Sequence, residues 1–266
     1  MSQRSSLFVF AHQDDEFGCY AAIADAVAAG ERVLCVFVTD GALGGEPVRR
    51  DAESRAVLTA LGVDASDLHF VGVPNGIRDG KLYESLPAVA RVLGEWFDRV
   101  PAGSRIHVTA WEGGHHDHDA LHAVAVLLLH DRGRLADARQ FSLYNAHRRP
   151  GPLFRVLSPL LANGPIERRR LRWRERRRHL RDCLRYPTQR TTWLGLFPFV
   201  LWHMLWRGSA ALQPVSVARV HERPHPGRLY YEKRGFLGYD VLRAAIDGWR
   251  RGSGGAMSRP DPSVAR

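Results

Sequence analysis

Two short segments concentrate imidazole and carboxylate side chains, and their composition suits a catalytic metal site. The first, residues 11–16, reads AHQDDE and places one histidine beside three acidic residues. Such a density of charge is costly to bury unless a cation or hydrogen-bond donors offset it. His12 and Asp15 can reach one metal ion if the chain turns from a strand into a helix between them. Asp14 would then face a substrate rather than the metal.

The second segment, residues 112–119, reads EGGHHDHD, and His122 follows it. One imidazole from this segment would complete a set of two histidines and one carboxylate. Such a set leaves coordination positions open for water, as catalytic zinc sites require. Asp117 is suited to accept a hydrogen bond from a neighbouring imidazole and to fix its tautomer. We interpret His122 as an ordinary histidine on a helix face.

The elements that must position these side chains alternate between strands and helices. Apolar runs predict buried strands at residues 5–11, 32–39, 68–71 and 105–110, and helical periodicity predicts helices at residues 15–29, 48–61 and 86–97. This order is typical of βαβ units. We therefore predict an α/β, Rossmann-like fold with a mostly parallel sheet, helices on both faces and a C-terminal extension of helices and loops.

Polar clusters follow four of the predicted strands. They occupy residues 12–16, Asp40, residues 74–76 and residues 112–119. Because ligands bind beyond the carboxyl ends of parallel strands, these clusters are expected to meet at one edge of the sheet. Asp40 is either a turn residue or a group that supports the metal ligands.

The two motifs resemble those of the PIG-L/LmbE family of zinc-dependent N-acetylglucosaminyl deacetylases, which carry AHPDDE after the first strand and a later HPDH. This chain has AHQDDE at residues 11–16 and HHDH at residues 115–118, so Gln13 and His116 replace the usual prolines. Further matches are Arg50 with Glu53, the Thr-Asp-Gly of residues 39–41, and residues 186–189. The resemblance is firm over residues 5–125.

The resemblance implies that His12, Asp15 and His118 bind Zn²⁺, with Fe²⁺ as an alternative divalent ion. It also implies that Asp14 is the general base and that His115 assists the developing oxyanion. A metal-activated water and a nearby carboxylate agree with this chemistry, and a cationic His115 would stabilise the oxyanion. Arg50 is a candidate to bind a sugar hydroxyl or phosphate.

Simpler interpretations of several residues remain open at this stage. Asp14 and Asp15 could cap a helix at the positive end of its dipole. Arg50 and Glu53 could form an ion pair of small energetic worth.

The formal net charge of +10 arises largely from ten arginines within residues 168–185. We predict an arginine-rich helix over residues 167–185, followed by an apolar segment at 193–206 and a loop at 221–235. The helix is either a solvated face or, with the apolar segment, a surface that contacts an anionic membrane or a lipid-linked sugar. The apolar segment could equally belong to the core or to a dimer interface. A nucleic-acid partner is not expected from the isoelectric point alone.

The remaining expectations concern organisation and compartment. We predict a core at residues 1–150, an extension at 151–252 that completes the same domain, a terminal helix at 241–250 and a disordered tail at 253–266. The apolar segment at 193–206 is too short to span a bilayer. Three scattered cysteines and no signal peptide favour the cytoplasm, with the inner face of the membrane as a peripheral location. Oligomeric state is left open.

The leading function is therefore a metal-dependent hydrolase that removes an acetyl or other acyl group from an N-acetylglucosamine conjugate. One alternative is a deacylase of another amide or ester on the same site. Another is a non-catalytic membrane or nucleic-acid adaptor that uses the arginine run. The chain has neither GxGxxG after its first strand nor a Walker A motif, so a nucleotide-binding module is disfavoured.

Overall fold

The computed structural model describes residues 4–43 and 46–256. Its main sheet has seven strands in the order β3-β2-β1-β4-β5-β9-β8. The first five strands in this order run parallel, whereas β9 and β8 are antiparallel to their neighbours. The predicted α/β fold with a mostly parallel sheet is thus confirmed. The strands are β1 Ser5–Phe10, β2 Arg32–Phe37, β3 Leu68–Phe70, β4 Arg105–Thr109, β5 Ala138–Phe141, β6 Tyr144–Asn145, β7 Arg155–Val156, β8 Glu167–Arg170 and β9 Ser209–Pro214.

Helices cover both faces of the sheet because side chains along each central strand alternate between two cores. Leu7 and Val9 pack in one core, whereas Phe8 and Phe10 pack in the other. Six of the α-helices precede residue 190: α1 Tyr20–Ala28, α2 Pro47–Leu61, α3 Gly72–Asn75, α4 Leu86–Arg99, α5 His116–Asp131 and α6 Trp173–Cys183. The others are α7 Arg190–Trp206, α8 Val217–Val220, α9 Tyr230–Lys233 and α10 Tyr239–Ala256. Helices α4, α5 and α10 contribute to the first core, and α1, α2, α6 and α7 to the second.

The arginine-rich segment is not one helix, which corrects the prediction for residues 167–185. Its first part is β8, which pairs with β9 at the edge of the sheet, and only α6 is helical. Leu171 is buried between these elements, and Arg172 begins the helix through a hydrogen bond of its N–H to Glu175. A local helical pattern could not reveal β8, because its pairing partner lies about forty residues later in the chain.

The C-terminal part of the chain joins the same sheet through β9, which hydrogen-bonds to β5. This shared sheet supports the proposal that residues 151–252 complete the domain formed by residues 1–150. Helix α10 begins before the predicted residue 241 and continues to Ala256, so residues 253–256 are helical rather than part of a disordered tail. The rest of that predicted tail, 257–266, lies outside the described residues. In the described parts of the chain, no helix is both long and apolar enough to cross a membrane.

Candidate metal centre and active-site cleft

The first motif forms a tight corner between β1 and a 3₁₀ helix at Asp15–Gly18. Asp14 has φ of 108°, a backbone conformation that is unfavourable for a residue with a side chain. The carboxylate of Glu16 stabilises this corner, because it accepts a hydrogen bond from the Asp14 N–H (2.9 Å) and another from the Tyr186 hydroxyl (2.7 Å). The corner holds Asp14 and Asp15 at the end of β1, as the sequence predicted for a strand-to-helix turn.

Three predicted metal ligands converge at this corner. His12 Nδ1 lies 3.2 Å from His118 Nε2 and 3.5 Å from Asp15 Oδ2, and His118 Nε2 lies 3.0 Å from Asp15 Oδ1. Ligands of a tetrahedral zinc ion, each about 2.0–2.1 Å from the metal, are separated by about 3.4 Å. The observed separations therefore suit the donor set of one small divalent cation.

The far side of His12 faces two more carboxylates. His12 Nε2 lies 3.1 Å from Asp117 Oδ2 and 3.2 Å from Asp79 Oδ1. These acceptors favour the tautomer with hydrogen on Nε2, which leaves the Nδ1 lone pair for a metal. Burial lowers the pKa of His12, but the carboxylates of Asp79 and Asp15 outweigh burial and hold this pKa well above its usual value. The site thus concentrates negative charge that a cation would offset.

Asp117 and Asp79 belong to one supporting network. The Asp117 carboxylate also accepts hydrogen bonds from the N–H groups of Gly80 (2.6 Å) and Leu82 (3.1 Å), so it fixes the loop that carries Asp79. Asp40 accepts a hydrogen bond from the Asp79 N–H (2.9 Å). Sequence reasoning selected Asp117 and Asp40 but missed Asp79. Its Arg-Asp-Gly setting is that of an ordinary turn.

Arg50 is almost fully buried and holds several parts of the site together. Its guanidinium donates to the carbonyl oxygens of Gly41 (2.9 Å) and Gln13 (2.8 Å) and to Asp79 Oδ2 (2.8 Å). It also lies 3.8 Å from Asp14 Oδ1. Burial holds the pKa of Asp14 well above its usual value, although the charge of Arg50 limits that rise. Arg50 thus helps to keep a carboxylate at Asp14.

Glu53 does not pair with Arg50, so the alternative of an isolated ion pair is wrong. The Glu53 carboxylate instead accepts hydrogen bonds from the N–H (3.0 Å) and hydroxyl (2.5 Å) of Thr188. This contact fixes residues 186–189 against α2, directly before α7 begins.

His115 caps α5, and its surroundings favour the neutral ring over the cationic form considered from the sequence. Its Nδ1 accepts a hydrogen bond from the Asp117 N–H (3.2 Å), so the neutral ring carries its hydrogen on Nε2. Burial lowers the pKa of His115, and the charge of His12 lowers it further. His115 therefore remains suited to donate one hydrogen bond as a neutral group. The neighbouring His116 stacks on it at 4.4 Å and bonds the Gly80 carbonyl through Nε2 (2.9 Å).

The predicted metal ligands, with Asp14 and His115, line a cleft of about 400 Å³. Aromatic residues from the C-terminal extension form much of its outer wall: Phe154, Tyr230 and Phe236, together with Tyr144. The rings of Phe154 and Tyr230 lie 5.0 Å apart, and those of Tyr144 and Tyr230 lie 5.7 Å apart. Sequence reasoning missed this wall, because scattered single aromatic residues carry no motif. Thr191, Thr192 and Gly195 place the start of α7 at the same cleft.

Glu112 anchors residues 142–145, the segment that contributes Tyr144 to the aromatic wall of the cleft. Its buried carboxylate accepts hydrogen bonds from the Ser142 hydroxyl (2.5 Å), the N–H groups of Leu143 (2.6 Å) and Tyr144 (3.0 Å), and the Asn145 side chain (3.0 Å). These contacts connect the loop before α5 with the segment after β5.

A comparison with family models finds a match in the first half of the chain. The model described as PIG-L, GlcNAc-PI de-N-acetylase, matches residues 7–129, a range that contains β1, the first motif and the second motif. The resemblance predicted from the two motifs is therefore confirmed over residues 7–129. No curated protein matches the chain.

Several solved structures share the fold. The zinc-inhibited form of teicoplanin deacetylase Orf2 is 18% identical, with a TM-score of 0.59 over 80% of this chain and 98% of that chain. The A40926 pseudoaglycone deacetylase Dbv21 is 19% identical, with a TM-score of 0.57 over 81% and 98%. The N,N'-diacetylchitobiose deacetylase from Pyrococcus horikoshii is 15% identical, with a TM-score of 0.56 over 84% and 88%.

Proposed function

We propose that this protein is a metal-dependent N-deacetylase that removes the acetyl group from an N-acetylglucosamine-type sugar conjugate. The observation that carries the proposal is the convergence of His12 Nδ1, the Asp15 carboxylate and His118 Nε2, 3.0–3.5 Å apart, in the cleft that Asp14 also lines. The PIG-L match over residues 7–129 supports the same reaction class.

The donor set fits a divalent metal. Two imidazoles and one carboxylate are borderline and hard ligands that suit Zn²⁺, and they suit Fe²⁺ as the alternative. We assign His12, Asp15 and His118 as the ligands, and Asp117 and Asp79 as the groups that orient His12. When bound, such an ion supplies a water of lowered pKa and polarises the amide carbonyl.

Side chains beside this centre carry out the proton transfer and the charge stabilisation that amide hydrolysis requires. Asp14 accepts the proton of the attacking water and returns it to the amine nitrogen as the C–N bond breaks, so that the products are acetate and the free amine. His115 donates its Nε2–H to the oxygen on which negative charge develops. Arg50 positions Asp14, and Asp40 supports the backbone of Asp79; Arg50 also lines the cleft, where it can contact a sugar hydroxyl.

An amino-sugar conjugate is the substrate class that we favour. The lining of the cleft combines aromatic rings with polar side chains such as Gln189 and Thr191, a composition that suits a sugar with apolar and hydroxyl-bearing faces. The names of the similar solved structures include a chitobiose deacetylase and two antibiotic deacetylases, which supports this choice. A deacylase of other amides or esters would use the same residues and is distinguished by the substrate panel below.

The test measures amine release from N-acetylglucosamine conjugates and from simple amides and esters, with and without a chelator. Chelator-sensitive release from the sugar conjugates is expected. Asp14→Asn should retain the metal and lose at least about 100-fold in turnover, because it removes the acid–base group. His118→Ala should lose both metal and turnover. An Asp14→Asn variant with full activity would refute the assigned base, and unchanged activity in both variants would refute a hydrolytic site here.

A further inference from the structure

Helix α7 leaves one face exposed, and that face is apolar. Leu205 and Trp206 follow Trp202 by three and four residues, and Leu194 precedes it by eight, so at 3.6 residues per turn all four lie on one side of the helix. Leu194 is 80% exposed, and the two tryptophans are 61% and 65% exposed. The rings of Trp202 and Trp206 stack at 4.1 Å. Large apolar groups gathered on one face of a folded protein mark a contact surface.

Helix α6 brings further aromatic and cationic groups to the end of α7. The Arg176 guanidinium lies 4.6 Å from the Trp173 ring and donates to the Met204 carbonyl (3.1 Å), so exposed Trp173 lies beside the C-terminal turn of α7. Trp173 shares a surface depression with Arg174 and Arg177. Both arginines are exposed, and neither has an ion-pair partner among the residues that the structure describes.

We propose that this surface, formed by Trp173, Arg174 and Arg177 with the exposed face of α7, docks on an anionic lipid bilayer. Exposed tryptophan and leucine side chains insert at the level of the lipid headgroups, and unpaired arginines beside them attract acidic lipids. Charge complementarity favours this occupant over a second copy of the chain, because a second copy would add the same unpaired arginines to the interface and α7 offers them no acidic side chain.

The proposed docking surface and the cleft share helix α7, so binding to a bilayer would affect access to the cleft. Thr191, Thr192 and Gly195 line the cleft, and the same exposed side of α7 continues through Leu194 to Trp206. The eleven helical steps from Gly195 to Trp206 span about 17 Å at 1.5 Å per residue. A bilayer under α7 would therefore lie close to the cleft opening, where a lipid-anchored sugar can enter. The docking itself does not depend on the proposed hydrolysis.

The experiment is vesicle flotation with the full chain, using neutral phosphatidylcholine vesicles and vesicles that also contain phosphatidylglycerol. We expect binding to the anionic vesicles at low salt and its loss at about 0.5 M salt. Trp202→Ser with Trp206→Ser should weaken binding at least about 10-fold. Arg174→Glu with Arg177→Glu should also weaken it at least about 10-fold, since each arginine contributes separately.

Matched controls use the opposite face of the sheet, where α4 and α10 lie. Arg91→Glu with Arg99→Glu makes the same charge change, and Val241→Ser removes an exposed apolar side chain. These variants should bind vesicles like the original protein. Absence of vesicle binding at low salt would overturn the proposal, as would equal losses in the control variants. Dimerisation abolished by the tryptophan variant, or salt-sensitive binding to duplex DNA without binding to vesicles, would also overturn it and assign the surface to that partner.

Discussion

Replacing Asp117 with asparagine is expected to weaken metal binding about 10-fold, because Asp117 orients His12 rather than binding the metal itself. Its Oδ2 faces His12 Nε2 at 3.1 Å and the Gly80 N–H at 2.6 Å, and its Oδ1 faces the Leu82 N–H at 3.1 Å. Asparagine offers one acceptor atom and one donor group to these three donors. At least one backbone N–H then faces the NH2 group of the asparagine instead of an acceptor, which costs about 1–3 kcal/mol in stability.

The structure also sets the size of the effect on the metal. Loss of a group that orients a ligand histidine costs about 10–100-fold in affinity. Asp79 Oδ1 lies 3.2 Å from the same nitrogen and can take over part of the role of Asp117. We therefore expect the lower end of this range for Asp117→Asn and the upper end when Asp79→Asn is combined with it.

A competitive titration against a chromophoric zinc chelator measures both values, and unfolding of the metal-free protein separates stability from affinity. Asp119→Asn is the matched control, because Asp119 lies two residues further along α5, is equally buried and accepts hydrogen bonds from the N–H groups of Glu112 and Gly113. Burial raises the pKa of Asp119 to about 8, so its neutral acid resembles the amide near pH 7. Unchanged zinc affinity in Asp117→Asn, or an equal loss in Asp119→Asn, would refute the reasoning.

Two further predictions concern buried groups outside the metal centre. Glu112→Ala leaves four hydrogen-bond donors without their acceptor. It should therefore lower the free energy of unfolding, measured by denaturant titration, by more than about 3 kcal/mol. A loss below about 1 kcal/mol would contradict the anchoring role. Burial lowers the pKa of His107, which stacks on Phe8 at 4.3 Å, to about 3. Between about pH 3 and pH 6.5, His107 therefore binds a proton in the unfolded chain but not in the folded one, so stability falls as the pH drops through this window. Near pH 5 the loss in the free energy of unfolding from this group is about 2 kcal/mol. His107→Phe should remove that part of the difference between pH 7 and pH 5 in denaturant titrations, and an unchanged difference would show that His107 titrates normally.

The sheet and the two ends of the metal site could be predicted from sequence because their signals are local. Strands β1, β2, β3 and β4 are apolar runs bounded by polar residues, and each ends within two residues of its predicted end. The motifs at residues 11–16 and 115–118 lie directly after β1 and at the start of α5, where the fold brings them together. Short-range patterns were sufficient for these elements.

The features that escaped prediction depend on contacts between distant parts of the chain. Strand β8 is rich in arginine and exists because β9 pairs with it. Asp79 becomes part of the site only because Asp117 fixes its loop, and Glu53 turns away from Arg50 because Thr188 offers it two donors. The neutral state of His115 follows from a backbone N–H that meets its Nδ1. None of these partners can be identified from spacing along the sequence.

The central claim is the identity of the metal ligands, and anomalous diffraction at the zinc edge from crystals of the zinc-loaded protein tests it most directly. The account predicts one anomalous peak within about 2.0–2.2 Å of His12 Nδ1, Asp15 and His118 Nε2. The same region offers other groupings, since His115, His116 and Asp117 also have ligand atoms within 4.8 Å of one another. A peak at that grouping, or no peak at His12 and His118 in crystals soaked to saturation, would contradict the account.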